Sequence, residues 1–203
     1  VLCWASGSGN RDEKTMMKKL LALCLAWTLM GLAQATGRAI EIDVVVDAPL
    51  EKVWEAWTTP AGIISFFAPA AEVEARPGGP FHIFINPLAP IGQKGADYMR
   101  FMAIQPMKLL SFDWNAPPNL PQARAQRTFV MLHFEPVGPG QTRVRLTHVG
   151  WGEGGEWDQA YTYFERAWGN VLANLQKRFV SGPIDWTDWM NQLRKLQEQQ
   201  DRK

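Results

Sequence analysis

"IEIDVVVDAPLEKVWEAWTTP", residues 40–60, changes its hydrophobic period halfway along, and that change decides the fold. Up to Val46 the apolar residues first alternate with polar ones and then merge into a β-branched run, the pattern of a strand buried on at least one face. From there Leu50, Val53, Trp54 and Trp57 recur at helical spacing, with Pro49 at a first helical position and Pro60 as a stop. "AGIISFFA", residues 61–68, reads as a second short helix. One strand running directly into two short helices is a distinctive opening.

Downstream the pattern is that of an antiparallel meander. "AEVEAR" (71–76) leads through Pro77-Gly78-Gly79 to "FHIFIN" (81–86), and "DYMRFMAI" (97–104) leads through Gln105-Pro106 to "KLLSFDWN" (108–115). The loop "APPNLPQARAQ" (116–126) precedes "RTFVMLHFEPV" (127–137), the turn Gly138-Pro139-Gly140 and "TRVRLTHVGW" (142–151). Short connections force neighbouring strands to run antiparallel. The longest element comes last: between residues 156 and 180, Trp157, Tyr161, Phe164, Trp168, Val171, Leu172, Leu175 and Phe179 repeat at helical spacing until Gly182-Pro183. The expected fold class is α+β, a curved antiparallel sheet of about six or seven strands wrapped around the long helix.

This chain resembles the SRPBCC superfamily, whose helix-grip fold is shared by START domains and the birch-pollen allergen class. Within it the resemblance is to the AHSA-type branch, named for the activator of the ninety-kilodalton heat-shock-protein ATPase. It is carried by "DAPLEKVWEAWTTP" (47–60), "RPGGPFHI" (76–83), "QPMKLLSFDW" (105–114), "GQTRVRLTHVGW" (140–151) and the long helix, so it spans roughly residues 39–179. The resemblance implies a cavity between the concave face of the sheet and that helix. Alternation then turns Leu110, Phe112 and Trp114, Val130, Leu132 and Phe134, and Val144, Leu146 and His148 toward the interior, and His82 and His133 outward.

The expected ligand-binding residues are Phe66, Phe67, Arg100, Phe112, Trp114, Leu132, Leu146, His148, Trp151, Tyr161, Phe164 and Trp168. An apolar pocket needs only concavity, aromatic walls and a few polar groups. The plainer alternative is that these aromatic side chains fill the core. Gly169 beside Trp168 would leave room where the helix meets sheet or ligand, and Arg100 would clamp a carboxylate if it points inward. His148 is the candidate acid or base, oriented by Glu153, Glu156, Asp158 or Tyr161. Its alternative is a core histidine with one hydrogen bond.

Other chemistries find less support. A metal centre needs converging ligands, and the three histidines sit on different strands. No serine carries an elbow motif, and no glycine-rich phosphate loop is present. A formal charge of +1 gives no basic footprint for nucleic acid. No metal, cofactor or nucleic-acid partner is therefore expected.

The N-terminal stretch points to export. Lys18 and Lys19 precede "LLALCLAWTLMGL" (20–32) and Ala33-Gln34-Ala35, the layout of a cleavable secretory signal that is too short to span a bilayer comfortably, with an uncleaved anchor as the second reading. Residues 1–35 are read as upstream sequence plus signal, with translation starting at Met16 or Met17 and cleavage after Ala35. Cleavage would remove Cys3 and Cys24, leaving a thiol-free chain suited to a secreted or periplasmic site. Residues 36–182 form the domain, and residues 183–203 form a tail with Trp186, Trp189, Met190 and Leu193 on one helical face. The tail either packs back or docks on a partner or membrane surface.

The sequence thus yields an exported binder of a small, largely apolar ligand, with oligomeric state open and no stable membrane span after cleavage. A cyclase- or hydrolase-type enzyme using His148 stands second. A chaperone-ATPase activator, implied by the family's name, stands third.

Overall fold

A computed structural model describes residues 37–202. The signal expected within residues 1–35 lies outside them. The elements are β1 (Ile40–Val46), α1 (Leu50–Thr58), α2 (Pro60–Ile64), β2 (Ala70–Val73), β3 (Phe81–Phe84), β4 (Gly95–Ala96), β5 (Phe101–Gln105), β6 (Leu109–Trp114), α3 (Pro121–Arg124), β7 (Thr128–Gly138), β8 (Gln141–Val149), α4 (Gly155–Ser181) and α5 (Thr187–Asp201).

The corner between α1 and α2 is built by few residues. Pro49 is the extended cap just before α1 rather than its first residue, and Thr59 closes α1 while its hydroxyl accepts from the Gly62 amide at 3.0 Å. Pro60 then opens α2, where its missing N–H costs nothing. Gly62 lets the two helices touch: a Cβ there would lie 2.4 Å from the Glu55 carbonyl oxygen. The corner buries Val53, Ala56, Trp57 and Ile63 against the sheet.

The chain has the α+β helix-grip fold, with all its strand pairs antiparallel among the described residues. The strands divide differently from the single sheet expected. Five of them order as β1-β8-β7-β6-β5, and β2-β3-β4 form a separate three-stranded sheet. The seam between the sheets lies where "DYMRFMAI" breaks. Tyr98 takes a positive φ of 64°, and both carboxylate oxygens of Asp97 are occupied by the amides of Gly92 and Gly95 at 3.0 Å. The ladder resumes only through Pro80 and Arg100, where Phe81 donates to the Met99 carbonyl at 2.8 Å and Phe101 to that of Gly79 at 3.0 Å.

Alternation allocates the inner face as the sequence predicts. Phe112, Leu132, Leu146, Val144 and His148 are all buried, while His133 is exposed. His82 points away from the core, yet its ring is largely covered beside Tyr98 and Phe84, with Nδ1 2.9 Å from a Glu72 carboxylate oxygen. Helix α4 lays Phe164, Trp168, Leu172 and Leu175 onto the concave face at i+4 and i+3 steps. One continuous core joins α1, α2, both sheets and α4.

The short helix α3 falls inside a stretch read as loop. Its first amides donate to the Glu156 carboxylate, Gln122 at 2.7 Å and Ala123 at 3.0 Å, so a side chain from the next helix caps it. It packs Leu120 and Ala123 against Ala160 with Trp151 and Trp157. The tail packs back on the domain. Ile184 donates to the Ser65 carbonyl at 2.9 Å, Trp186 Nε1 to that of Ile64 at 2.6 Å, and Trp189 Nε1 to that of Ile85 at 2.9 Å. No helix of the described residues is long and apolar enough to cross a membrane.

Candidate functional site

The concave face is largely filled rather than hollow. Trp57, Phe66, Phe81, Phe101, Phe112 and Trp168 are almost completely buried and meet in edge-on and tilted contacts, such as Phe81 against Phe112 with ring centroids 4.3 Å apart. Space opens instead along one flank of α4. There a cleft of about 350 Å³ runs between the helix and the tail, lined by Phe67, Pro69, Ile85, Trp114, Tyr163, Phe164, Ala167, Trp168, Asn170, Val171, Asn174, Trp186 and Trp189. It shares Ile85, Trp114, Tyr163 and Phe164 with a second lobe of about 290 Å³, which continues past Asn86, Gln93, Lys94, Gly95, Ala96, Asn115, Ala116, Pro117 and Pro118. Both lobes are open-sided, and volumes of this order suit a small molecule.

Three parts of the chain position these walls. Tyr163, Ala167, Asn170, Val171 and Asn174 share a flank of α4 because they follow one another at helical steps beside the core stripe. Trp114 ends β6, and its ring lies 5.2 Å from Trp168 and 6.0 Å from Phe67. The tail supplies Trp186 and Trp189, each fixed by its indole bond to a backbone carbonyl. Asp185 sets the start of α5 by accepting from the Thr187 hydroxyl at 2.6 Å and amide at 2.9 Å, bonds that hold its carboxyl below the ordinary value.

Arg124 holds the floor of the second lobe. Its guanidinium donates to the carbonyls of Ala116, Gly92 (2.6 Å) and Gly95 (2.9 Å) and lies 3.5 Å from Asp97. Burial pulls Arg124 below its ordinary value while Asp97 pulls it back up. The staple ties the β3–β4 arm to the loop after β6, so the lobe has a fixed shape. Tyr163 stands on the shared rim, 45% exposed, and the partial desolvation there raises its phenol above the ordinary value.

His148 lies beneath this cleft, not in it. It is 0% exposed, with Nδ1 accepting from Trp168 Nε1 at 2.9 Å and Nε2 2.7 Å from Thr128 Oγ1. Because an indole nitrogen only donates, Nδ1 carries no proton, and the neutral ring must donate from Nε2 to Thr128. The Thr128 hydroxyl passes its own hydrogen to the Trp114 carbonyl at 3.3 Å. Every position around the ring is spoken for, and burial lowers its pKa from 6.5 to about 3. Of the two readings of His148, the geometry matches the core histidine, with two side-chain hydrogen bonds rather than one: both nitrogens are engaged with buried protein groups and neither faces the cleft.

The remaining expected residues separate into groups. Phe67, Trp114, Phe164 and Trp168 line the cleft. Phe66, Phe112, Leu132 and Leu146 fill the core beneath it. Trp151 instead closes the end of β8 by donating to the His148 carbonyl, and Tyr161 secures the start of β1 by donating to that of Ala39, both at 2.9 Å, with Arg38 stacked 4.8 Å over Tyr161. Arg100 is exposed and donates to the Gly78 carbonyl at 2.9 Å, so it is no interior clamp. Its buried neighbours Met99 and Phe101 carried that signal. Gly169 likewise faces open space, since a Cβ there meets nothing within 4 Å. No cluster of three or more His, Cys, Asp or Glu among the described residues could hold a metal ion.

Comparison with known proteins places this geometry in context. A family model described as "Activator of Hsp90 ATPase homolog 1-like protein" matches residues 47–179. No curated protein sequence matches significantly. Similar solved structures include a protein from Mesorhizobium loti (22% identity, TM-score 0.58, covering 72% of this chain and 100% of that one). The Aha1 dimer from Colwellia psychrerythraea is similar at 21% identity and TM-score 0.54, covering 71% of this chain and 98% of that one. CalU16 from Micromonospora echinospora follows at 23% identity and TM-score 0.53, covering 77% and 81%.

Proposed function

Because the chain belongs to the Activator of Hsp90 ATPase homolog 1-like family, within the SRPBCC fold group, we propose that it works as a small-molecule binder whose site is the cleft between α4 and the tail. Family and fold support a ligand-binding or an Hsp90-activator-like role in general terms. The choice of ligand binding rests on one observation. Four tryptophans, Trp114, Trp168, Trp186 and Trp189, converge on an open-sided apolar space while the rest of the interior is packed. A pocket of this kind binds by burying ligand surface, worth roughly 25 cal/mol per Å² of apolar area removed from water.

The occupant in this reading is a small, largely apolar molecule. Export belongs to the same proposal: the basic residues, the apolar run and the Ala-x-Ala site before Thr36 support a mature chain that meets its ligand outside the cytoplasm. A mass starting at Thr36 for protein recovered from an exporting host is the expected result, and retention of residues 1–35 would contradict it.

The cleft is tested with N-phenyl-1-naphthylamine, a neutral apolar probe that brightens when shielded from water. Saturable binding at one equivalent is expected, and Ala167→Trp should abolish it by filling the cleft from the exposed flank of α4. Absence of saturable binding, or binding that ignores Ala167→Trp in a folded variant, would overturn the reading.

A further inference from the structure

We propose that the cleft selects an apolar ligand that carries a carbonyl-type hydrogen-bond acceptor, received by the Trp114 indole N–H on the rim between the two lobes. This rests on the binding reading above and adds the ligand's functional group and its place. The lobes share Ile85, Trp114, Tyr163 and Phe164, so a molecule occupying both must cross that rim.

Four indoles border the cleft, and three of them have no donor left to offer. Trp168 gives its N–H to His148 at 2.9 Å, Trp186 to the Ile64 carbonyl at 2.6 Å and Trp189 to the Ile85 carbonyl at 2.9 Å. Trp114 differs. It is only 5% exposed, held by the rings of Phe67, Phe112 and Trp168 at 6.0, 5.7 and 5.2 Å, yet its Nε1 donates to no group among the described residues. The side-chain nitrogens and oxygens that are both sealed from solvent and without a partner there are Arg38 Nε, Trp57 Nε1 and His82 Nε2, and Trp114 Nε1 is not one of them. A nitrogen that is partnerless but not sealed has open space before it. The open space that Trp114 borders is the cleft, which it lines on both sides of the rim, so its N–H is aimed there.

The chemistry of the indole decides what can answer it. An indole nitrogen only donates, so the matching group on the ligand is an acceptor. A ligand that fills the cleft without one would strip water from the N–H and leave it stranded, which a site of this kind penalises more than it rewards the bond itself. A donor on the ligand is served poorly by the same walls. The carbonyls of Ile85, Gly95 and Ala116 already accept from Trp189 and Arg124, the buried Asn115 turns its amide oxygen to Arg124 Nη1 at 3.1 Å, and no carboxylate lines either lobe. A carbonyl accepts and does not donate, which is what this rim can satisfy.

The test is displacement of the naphthylamine probe by three molecules of one shape: benzophenone, 1,1-diphenylethylene and benzhydrol. Each puts two apolar rings on either side of a central group, which is an acceptor, an apolar isostere and a hydroxyl in turn. Benzophenone should displace roughly ten-fold better than diphenylethylene, although it is the less apolar of the two, and better than benzhydrol. Trp114→Phe keeps a ring and removes the N–H, so it should bring benzophenone to within about two-fold of diphenylethylene, whatever the smaller ring does to both. A readout on the unaltered protein accompanies it: the infrared carbonyl stretch of bound benzophenone should lie below its position in heptane. If benzophenone and diphenylethylene displace the probe equally, if benzhydrol leads, if Trp114→Phe keeps the ketone's advantage, or if the bound stretch matches heptane, this inference fails and the binding reading stands. If the probe itself shows no saturable binding, both fail.

Discussion

Acid should destabilise this protein through His148, by an amount the geometry allows one to work out. In the folded chain burial holds the imidazole at about 3, against 6.5 for an exposed histidine. Between those values the unfolded chain binds a proton that the native chain refuses, so stability rises with pH through the window. The contribution is fully present above pH 6.5 and is lost as pH falls toward 3, at up to ~1.4 kcal/mol per unit and roughly 4–5 kcal/mol in all. The structural cause is double: the ring is out of water, and a proton on Nδ1 would face the Trp168 N–H it now accepts. His148→Asn keeps an acceptor for Trp168 but removes the titration, at a cost of roughly 1–3 kcal/mol at neutral pH for the lost Thr128 partner. Urea unfolding of both proteins at pH 7, 6, 5 and 4 isolates the effect, because carboxylate contributions cancel in the difference. The gap between wild type and variant should close on acidification and then reverse sign. A gap that stays constant from pH 7 to pH 4 would refute the argument.

Other substitutions test the scaffold and the cleft wall. Gly169→Ala should raise stability by roughly 0.5–1 kcal/mol, since helix propensity improves and the new methyl meets nothing, whereas Gly62→Ala should lower it by roughly 1–3 kcal/mol through contact with the Glu55 carbonyl; thermal melts separate the pair. Arg124→Ala should cost roughly 3 kcal/mol and expose residues 86–97 to protease, because it leaves Asp97 and three backbone carbonyls without their cation. Trp189→Ala should weaken the naphthylamine probe several-fold while leaving the urea midpoint almost unchanged, since this side chain remains 39% exposed. A large stability loss in that variant would mean that the tail belongs to the core.

The sequence revealed most where a residue's fate depends on its near neighbours. Alternation placed His148 on the inner face with Val144 and Leu146, and the 3.6-residue period placed Phe164, Trp168, Leu172 and Leu175 on the core stripe of α4. It could not say what His148 meets there, because Thr128, Trp114 and Trp168 arrive from three other elements. Helix α3 escaped notice for a related reason: its first turn is capped by Glu156, 33 residues beyond Ala123. The division of the sheet depends on Asp97 folding the preceding loop onto its own carboxylate, which a strand-like stretch such as "DYMRFMAI" conceals. Tyr163, Ala167 and Asn174 keep helical spacing, yet their flank becomes a wall only because the tail stands opposite.

That opposition locates specificity within the chain. The family match ends at residue 179, whereas Trp186 and Trp189 lie beyond it and still form one side of the cleft. Their indole bonds end on Ile64, at the close of α2, and on Ile85, just past β3, so the tail spans from one wall element to the other. The core beneath needs neither residue: its aromatic contacts run through Trp57, Phe67, Trp114 and Trp168. A shared domain thus supplies the floor, and a segment outside the matched region supplies the apolar wall. In the proposed binding role, ligand choice would then depend both on the shared floor and on the tail tryptophans that this chain adds.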